Sequence, residues 1–221
     1  MHRAARDSPV ETYVLPADDA SIAVAAGIIR SGGLVAYPTD TVYGIGAHAF
    51  QAEAVEKVFE AKGRAGARAI PLLIADVGQL ELVATDIPPL AWRLIDRFWP
   101  GALTLVLFRS PAVPDIVSGG GPTVAVRQPG HPVPLALAAA VGAPIAGTSA
   151  NRSGEPNAVT AGEVMRQISG RIDLLLDGGR CPGGIESTVL DLTRTVPVVI
   201  RAGAVPVDDI EAVLGAKLRA D

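Results

Sequence analysis

The stretch Leu34-Val35-Ala36-Tyr37-Pro38-Thr39-Asp40-Thr41-Val42-Tyr43-Gly44 decides how the chain is read. Four apolar residues in a row, with Ser31-Gly32-Gly33 before them and Pro38 after, form the pattern of a short strand buried on both faces. Hydroxyls, a carboxylate and a glycine follow. Proteins that alternate strands and helices place ligands at such a point, beyond the carboxyl end of a buried strand. The hydroxyls of Thr39 and Thr41 and the local amides suit a small polar ligand. The same residues also make an ordinary turn, with Asp40 and Thr41 bonding their own backbone.

Outward from this stretch the patterns are helical on both sides. Residues 18–31 carry Ile22, Ala25, Ala26 and Ile29 on one face, behind a capping Asp18 or Asp19. Residues 52–61 turn Val55, Val58 and Phe59 inward and Glu53, Glu56, Lys57 and Glu60 outward. Further helices are predicted at 77–84, 88–97, 133–140, 160–168 and 207–214. Strands are predicted at 34–37, 71–74, 103–108, 123–127, 144–147, 173–176, 186–191 and 197–201. This alternation predicts an α/β layer fold. The last strands lack a long helix between them, so part of the sheet should be antiparallel. No repeat, linker or boundary interrupts 1–221, which reads as one domain with residues 1–10 flexible.

Composition narrows the function classes. The chain has 221 residues, 49% hydrophobic and only 4% aromatic, enough for an aliphatic core without staples. A net charge of −4 argues against a basic nucleic-acid-binding domain. The single cysteine, Cys181, excludes a disulfide within the chain and a thiolate cluster. The least polar stretch, 132–147, is broken by Pro134, Gly142 and Pro144 and falls short of the ~20 apolar residues a membrane span needs. No apolar segment follows the basic start. A cytoplasmic location without a membrane partner is the expectation.

Three more segments carry chemistry. Lys62-Gly63-Arg64 sets two cations at the end of a helix, in a chain with three lysines. One point charge and one planar fork suit a polyphosphate, and they equally suit the negative end of the helix dipole. Thr148-Ser149-Ala150-Asn151-Arg152-Ser153-Gly154 follows a strand and offers small donors for phosphate or ribose oxygens, or a turn. Gly178-Gly179-Arg180-Cys181-Pro182-Gly183-Gly184 leads into Glu186-Ser187-Thr188-Val189, a loop that allows close backbone approach, or a bulge. Arg127 ends the apolar run Val124-Ala125-Val126, as a surface residue or as a clamp for carboxylate or phosphate. No G-x-x-x-x-G-K-[ST] or G-x-G-x-x-G occurs. Cys181, His48 and His131 lack the neighbours of a nucleophile or metal ligand, so no metal site built from side chains is expected.

Taken in order, Tyr37 to Gly44, Lys62-Gly63-Arg64, Phe98-Trp99-Pro100-Gly101-Ala102-Leu103-Thr104, Val126-Arg127, Thr148 to Gly154 and Ser187-Thr188-Val189 make the sequence resemble the YrdC-like family of threonylcarbamoyl-AMP synthases. The match runs over about residues 15–205. The resemblance implies a twisted mixed sheet with a deep central cleft. It implies synthesis of threonylcarbamoyl-AMP and pyrophosphate from L-threonine, bicarbonate and ATP, as a nucleotidyltransferase serving tRNA threonylcarbamoylation. Lys62 and Arg64 would then be catalytic and hold ATP together with Ser149, Asn151, Ser187 and Arg201. Thr39, Thr41, Arg127, Ser149 and Thr188 would take threonine and bicarbonate. Mg2+ would come with ATP, and no organic cofactor is implied. A downstream threonylcarbamoyl transferase complex would receive the product, with weak RNA contact. Ala65 stands where the family usually has proline, and Ala75 where some members have histidine. Longer members have a further C-terminal domain, so the short form is expected. Two alternatives share the fold: a double-stranded RNA or tRNA-binding module, and the carbamoyl-transfer domain of hydrogenase maturation proteins.

Overall fold

A computed structural model describes residues 10–63 and 69–220. Of residues 1–10, expected to be flexible, the first nine lie outside them, as does Arg64, while the Val10 N–H donates to the Gly170 carbonyl at 3.0 Å. In chain order the strands are β1 (Tyr13–Pro16), β2 (Val35–Tyr37), β3 (Gly44–His48), β4 (Leu72–Leu73), β5 (Ala84–Thr85), β6 (Leu103–Arg109), β7 (Thr123–Arg127), β8 (Ile145–Ser149), β9 (Leu174–Asp177), β10 (Thr188–Asp191), β11 (Val198–Arg201) and β12 (Arg219–Ala220). The helices are α1 (Asp19–Arg30), α2 (Ala52–Ala61), α3 (Leu80–Val83), α4 (Pro89–Phe98), α5 (Asp115–Ser118), α6 (Pro132–Val141), α7 (Ala161–Ile168) and α8 (Val207–Leu214).

Local chemistry sets the helix ends. The Asp18 carboxylate caps α1 by accepting from the Ser21 N–H at 2.8 Å. Thr160 and Glu163 form a reciprocal capping box at the start of α7. Pro132 opens α6 and Gly142, at φ +76°, closes it.

The strands form one sheet in the order β1-β9-β2-β3-β8-β4-β7-β6-β10-β11-β12, with β5 paired to β6. It is mixed, as expected: β2–β3, β3–β8, β8–β4, β7–β6 and β10–β11 run antiparallel. The pairs β9–β2, β4–β7 and β6–β10 are parallel.

Strand alternation gives the sheet two unlike faces. On one face Ile45, Leu72, Leu103, Leu105, Val126, Leu190 and Val199 join α2, α4, α7 and α8 in the larger core. On the other, Val35, Tyr37, Ile145, Leu174 and Leu176 pack under α1 and α6. Those two helices cover only the β9–β2–β3–β8 half of that face. Beyond them the outward residues of β7, β6, β10 and β11 are Ala125, Val106, Val189 and Ile200, and these line a cleft.

Four strands, β1, β3, β5 and β12, are additional to the eight read from the sequence, as is the single turn α5. β1 lies at the sheet edge, paired to β9. β3 replaces part of the expected loop after Pro38. Its Gly44 and Gly46 lack the apolar alternation that marks a strand, because the Tyr37 ring lies where their side chains would be. A Cβ on Gly44 would sit 2.8 Å from Tyr37 Cε2, and one on Gly46 2.7 Å from the Tyr37 hydroxyl. The helix predicted at 77–84 is a 3-10 turn, Val77–Gln79, followed by the single turn α3.

Candidate active site

The cleft has a volume of about 750 Å³. Eight of the ten residues singled out from the sequence line it: Thr39, Thr41, Lys62, Arg127, Ser149, Asn151, Ser187 and Arg201. Arg64 is outside the described residues. The tenth, Thr188, is not part of the lining. Ser187 and Thr188 are adjacent in extended chain, so they face opposite ways, and Ser187 takes the cleft side. The Thr188 hydroxyl is fully buried on the other side. It donates to the Val205 carbonyl at 2.6 Å and accepts from the N–H groups of Gly203 and Val205 at 3.0 and 3.2 Å. It holds the 203–205 turn and no ligand.

Lys62 caps the C-terminal end of α2 and is only 4% exposed. The helix-end position is the expected one, and the side chain there is buried. Its ammonium donates to the carbonyl oxygens of Ser149 and Asn151, the latter at 2.8 Å, and to Asn151 Oδ1 at 3.1 Å. The Ser153 N–H donates back to the Lys62 carbonyl at 3.0 Å, and Asn151 Nδ2 donates to the Glu155 carbonyl at 2.6 Å. The 149–155 loop is thus fastened to the end of α2, with a buried positive charge at the junction.

Arg127 ends β7 and is buried. Nε donates to the Gly101 carbonyl at 2.8 Å, Nη2 pairs with Asp40 Oδ1 at 2.6 Å, and Nη1 reaches Thr41 Oγ1 at 3.4 Å. Three of its five donors are committed, which fixes the plane of the guanidinium. Burial pulls its pKa below the ordinary value, and the Asp40 carboxylate opposes that shift. Thr39 Oγ1 donates to the Val42 carbonyl at 2.7 Å, lies 3.0 Å from Thr41 Oγ1 and accepts from the Thr41 N–H at 3.1 Å. The loop is a turn that faces the cleft, but Thr39 holds it, and not Asp40 and Thr41 as the turn reading had it; their side chains meet Arg127 instead.

Toward β11, Arg201 pairs with the Glu186 carboxylate and donates to the Ser187 carbonyl, from Nη2 at 2.8 Å, and to Ser187 Oγ at 3.2 Å. Ser187 Oγ lies 2.8 Å from Thr104 Oγ1. Thr104 belongs to the Phe98–Thr104 motif, which assigns it no role of its own. Its signal was a lone hydroxyl between Leu103 and Leu105, which puts it on the face opposite those leucines. The partnership of Asp40 with Arg127 had no sequence signal, since 87 residues separate them.

Among the described residues lining the cleft, three are cations, Lys62, Arg127 and Arg201, and one is a carboxylate, Glu186. A chain of net charge −4 has gathered three cationic side chains against one carboxylate in this cleft. No group of three His, Cys, Asp or Glu placed to hold a metal occurs among the described residues. The arrangement can bind an oxyanion-rich ligand with fixed donors, which is the basis of charge stabilisation in acyl and phosphoryl transfer.

Residues 27–203 match the profile of the Sua5/YciO/YrdC proteins, a family described as telomere recombination. The chain belongs to that family. It is 48% identical over 194 residues to the threonylcarbamoyl-AMP synthase of Pyrococcus abyssi, covering 88% of this chain and 57% of that protein. It is 45% identical over 208 residues to the threonylcarbamoyl-AMP synthase of Bacillus subtilis, covering 92% and 59%. The crystal structure of P. abyssi Sua5 complexed with L-threonine superposes with a TM-score of 0.90 at 45% identity, over 96% of this chain and 62% of that one. The chain thus spans somewhat over half the length of these relatives. The fold expected for a Sua5/YciO/YrdC member, a mixed sheet flanked by helices, is the one found. No helix among the described residues is long and apolar enough to cross a membrane.

Proposed function

We propose that this chain makes threonylcarbamoyl-AMP and pyrophosphate from L-threonine, bicarbonate and ATP, as a nucleotidyltransferase that feeds tRNA threonylcarbamoylation. The observation that carries this reading is the convergence of Lys62, Arg127 and Arg201 with the Thr39–Thr41 loop in one cleft. The relatives' names and the threonine-bound P. abyssi structure support it.

The chemistry follows from the residues. The threonine amine and bicarbonate combine to a carbamate, losing water. The carbamate oxygen attacks the α-phosphorus of ATP, and the bond to the leaving pyrophosphate breaks. Both partners are anions, so the rate depends on neutralisation and alignment more than on proton transfer. Lys62 supplies a buried positive charge beside the Ser149–Asn151 loop. Arg201, with Ser187 and Asn151, holds phosphate or ribose oxygens. Arg127, its plane set by Asp40 and Gly101, takes a carboxylate-type oxygen. Mg2+ arrives with ATP as part of the substrate. Arg64 joins Lys62 in this reading. A threonylcarbamoyl transferase consumes the product.

Pyrophosphate release in reactions lacking one substrate at a time tests this. Release that requires ATP, threonine and bicarbonate together is the expected result. Release that is unchanged without threonine contradicts it.

A further inference from the structure

We propose that the Tyr37 hydroxyl donates a hydrogen bond to a substrate oxyanion, the bicarbonate or the threonine carboxylate, at the end of the cleft over β2, β3 and β8. The proposal rests on the function just argued and adds a substrate-contacting residue to it. In the sequence Tyr37 ends a buried strand and opens the polar segment Tyr37 to Gly44, but no substrate contact is assigned to its hydroxyl there.

Three observations carry it. Tyr37 is fully buried, and its hydroxyl is the one buried side-chain polar atom without a hydrogen-bond partner among the described residues. An unsatisfied buried hydroxyl is costly, and a phenylalanine would fill the same space without that cost, so the oxygen calls for a partner. Second, the hydroxyl is delivered to the cleft by design of the sheet. The ring crosses Gly44 and Gly46 on β3 and ends against Gly147 on β8, where a Cβ would lie 2.6 Å from the oxygen. Tyr37, Gly44 and Gly147 all line the cleft. Gly147 itself puts no side chain over the hydroxyl, and Leu73 lies beside that point, 3.4 Å from where the Cβ would be. Third, the local charge is right. Arg127 is the cation near enough to act on Tyr37, while burial keeps the phenol protonated well above neutral pH. A neutral donor beside a cation selects an anionic acceptor. Bicarbonate and the amino-acid carboxylate share the necessary planar oxyanion, so both are candidates.

The test compares wild type with Tyr37→Phe, measuring stability by chemical denaturation and KM for each substrate separately. The variant should fold with equal or higher stability. KM for bicarbonate or for threonine should rise about tenfold, the effect of losing one good hydrogen bond, while KM for ATP stays unchanged. A parallel rise in KM for threonine and in its calorimetric Kd assigns the carboxylate; a rise for bicarbonate alone assigns bicarbonate. All three KM values within about twofold of wild type overturn the proposal. A readout that needs neither turnover nor the variant's folding is 19F NMR of protein labelled with 3-fluorotyrosine at its three tyrosines. Replacing Tyr13 and Tyr43 in turn assigns the Tyr37 signal. It should move on addition of bicarbonate or of threonine, and a signal that moves with neither overturns the proposal. Wild type that binds threonine and shifts this signal but releases no pyrophosphate would count against the proposed reaction and leave the Tyr37 contact standing.

Discussion

The Lys62 ammonium lies against the carbonyl oxygens of Ser149 and Asn151, so its removal acts on charge and on the loop together. Lys62→Ala should lower kcat/KM at least about a hundredfold, the usual effect of losing a transition-state charge contact. It should also lower unfolding stability by roughly 1–3 kcal/mol, because buried carbonyls lose their donor. Steady-state kinetics and urea denaturation on the same preparation check both. Thr188→Val should do the reverse. Its hydroxyl serves only the 203–205 turn, so stability should drop by about 1–3 kcal/mol with kcat/KM near wild type while the protein is folded. At this scale the sequence revealed which residue types the chemistry needs but not their phase. Ser187 and Thr188 look equivalent in a list, and only the start of the strand decides which faces the ligand. The double use of Lys62 was illegible too, since its acceptors are main-chain atoms 87 and 89 residues away.

The glycines of β3 and β8 are where element and site meet. Gly46→Ala and Gly147→Ala would each put a methyl within 2.7 Å of the Tyr37 hydroxyl, closer than real contacts allow. Either substitution should force the ring out of its track and lower the thermal midpoint, as overpacking by one methyl typically costs about 1–3 kcal/mol. Combining Gly147→Ala with Tyr37→Ala should recover part of that loss relative to Tyr37→Ala alone, and a double-mutant cycle measures it. The helices with a strong apolar stripe, α1, α2 and α7, were legible within a residue or two. β3 was not, because a strand whose inner face is filled by a neighbour's ring needs no side chains of its own there. The short edge strand β1 escaped notice for a different reason: Tyr13 and Val14 are exposed, so no buried alternation marks it.

For the molecule as a whole, the mixed sheet was legible from the missing helices between its last strands, while the strand order was not. That order depends on long crossovers such as β2 to β9, which carry no local signal. It matters because it leaves one face half covered and sets the Thr39–Thr41 loop, Arg127 and Arg201 around the uncovered part. If that loop reads the hydroxyl of the amino acid, threonine should be preferred over valine by about 10⁴ in kcat/KM, and over serine by only the roughly 1–3 kcal/mol of a methyl group. Valine turned over as well as serine would mean that shape alone is read. The most direct test of the central claim is mass analysis of the product formed from ATP, L-threonine and carbon-13 bicarbonate. The account predicts an adenylate that contains threonine and one labelled carbon, with pyrophosphate in equal amount. An AMP ester of threonine without the label, or ATP cleavage that incorporates neither, would contradict it.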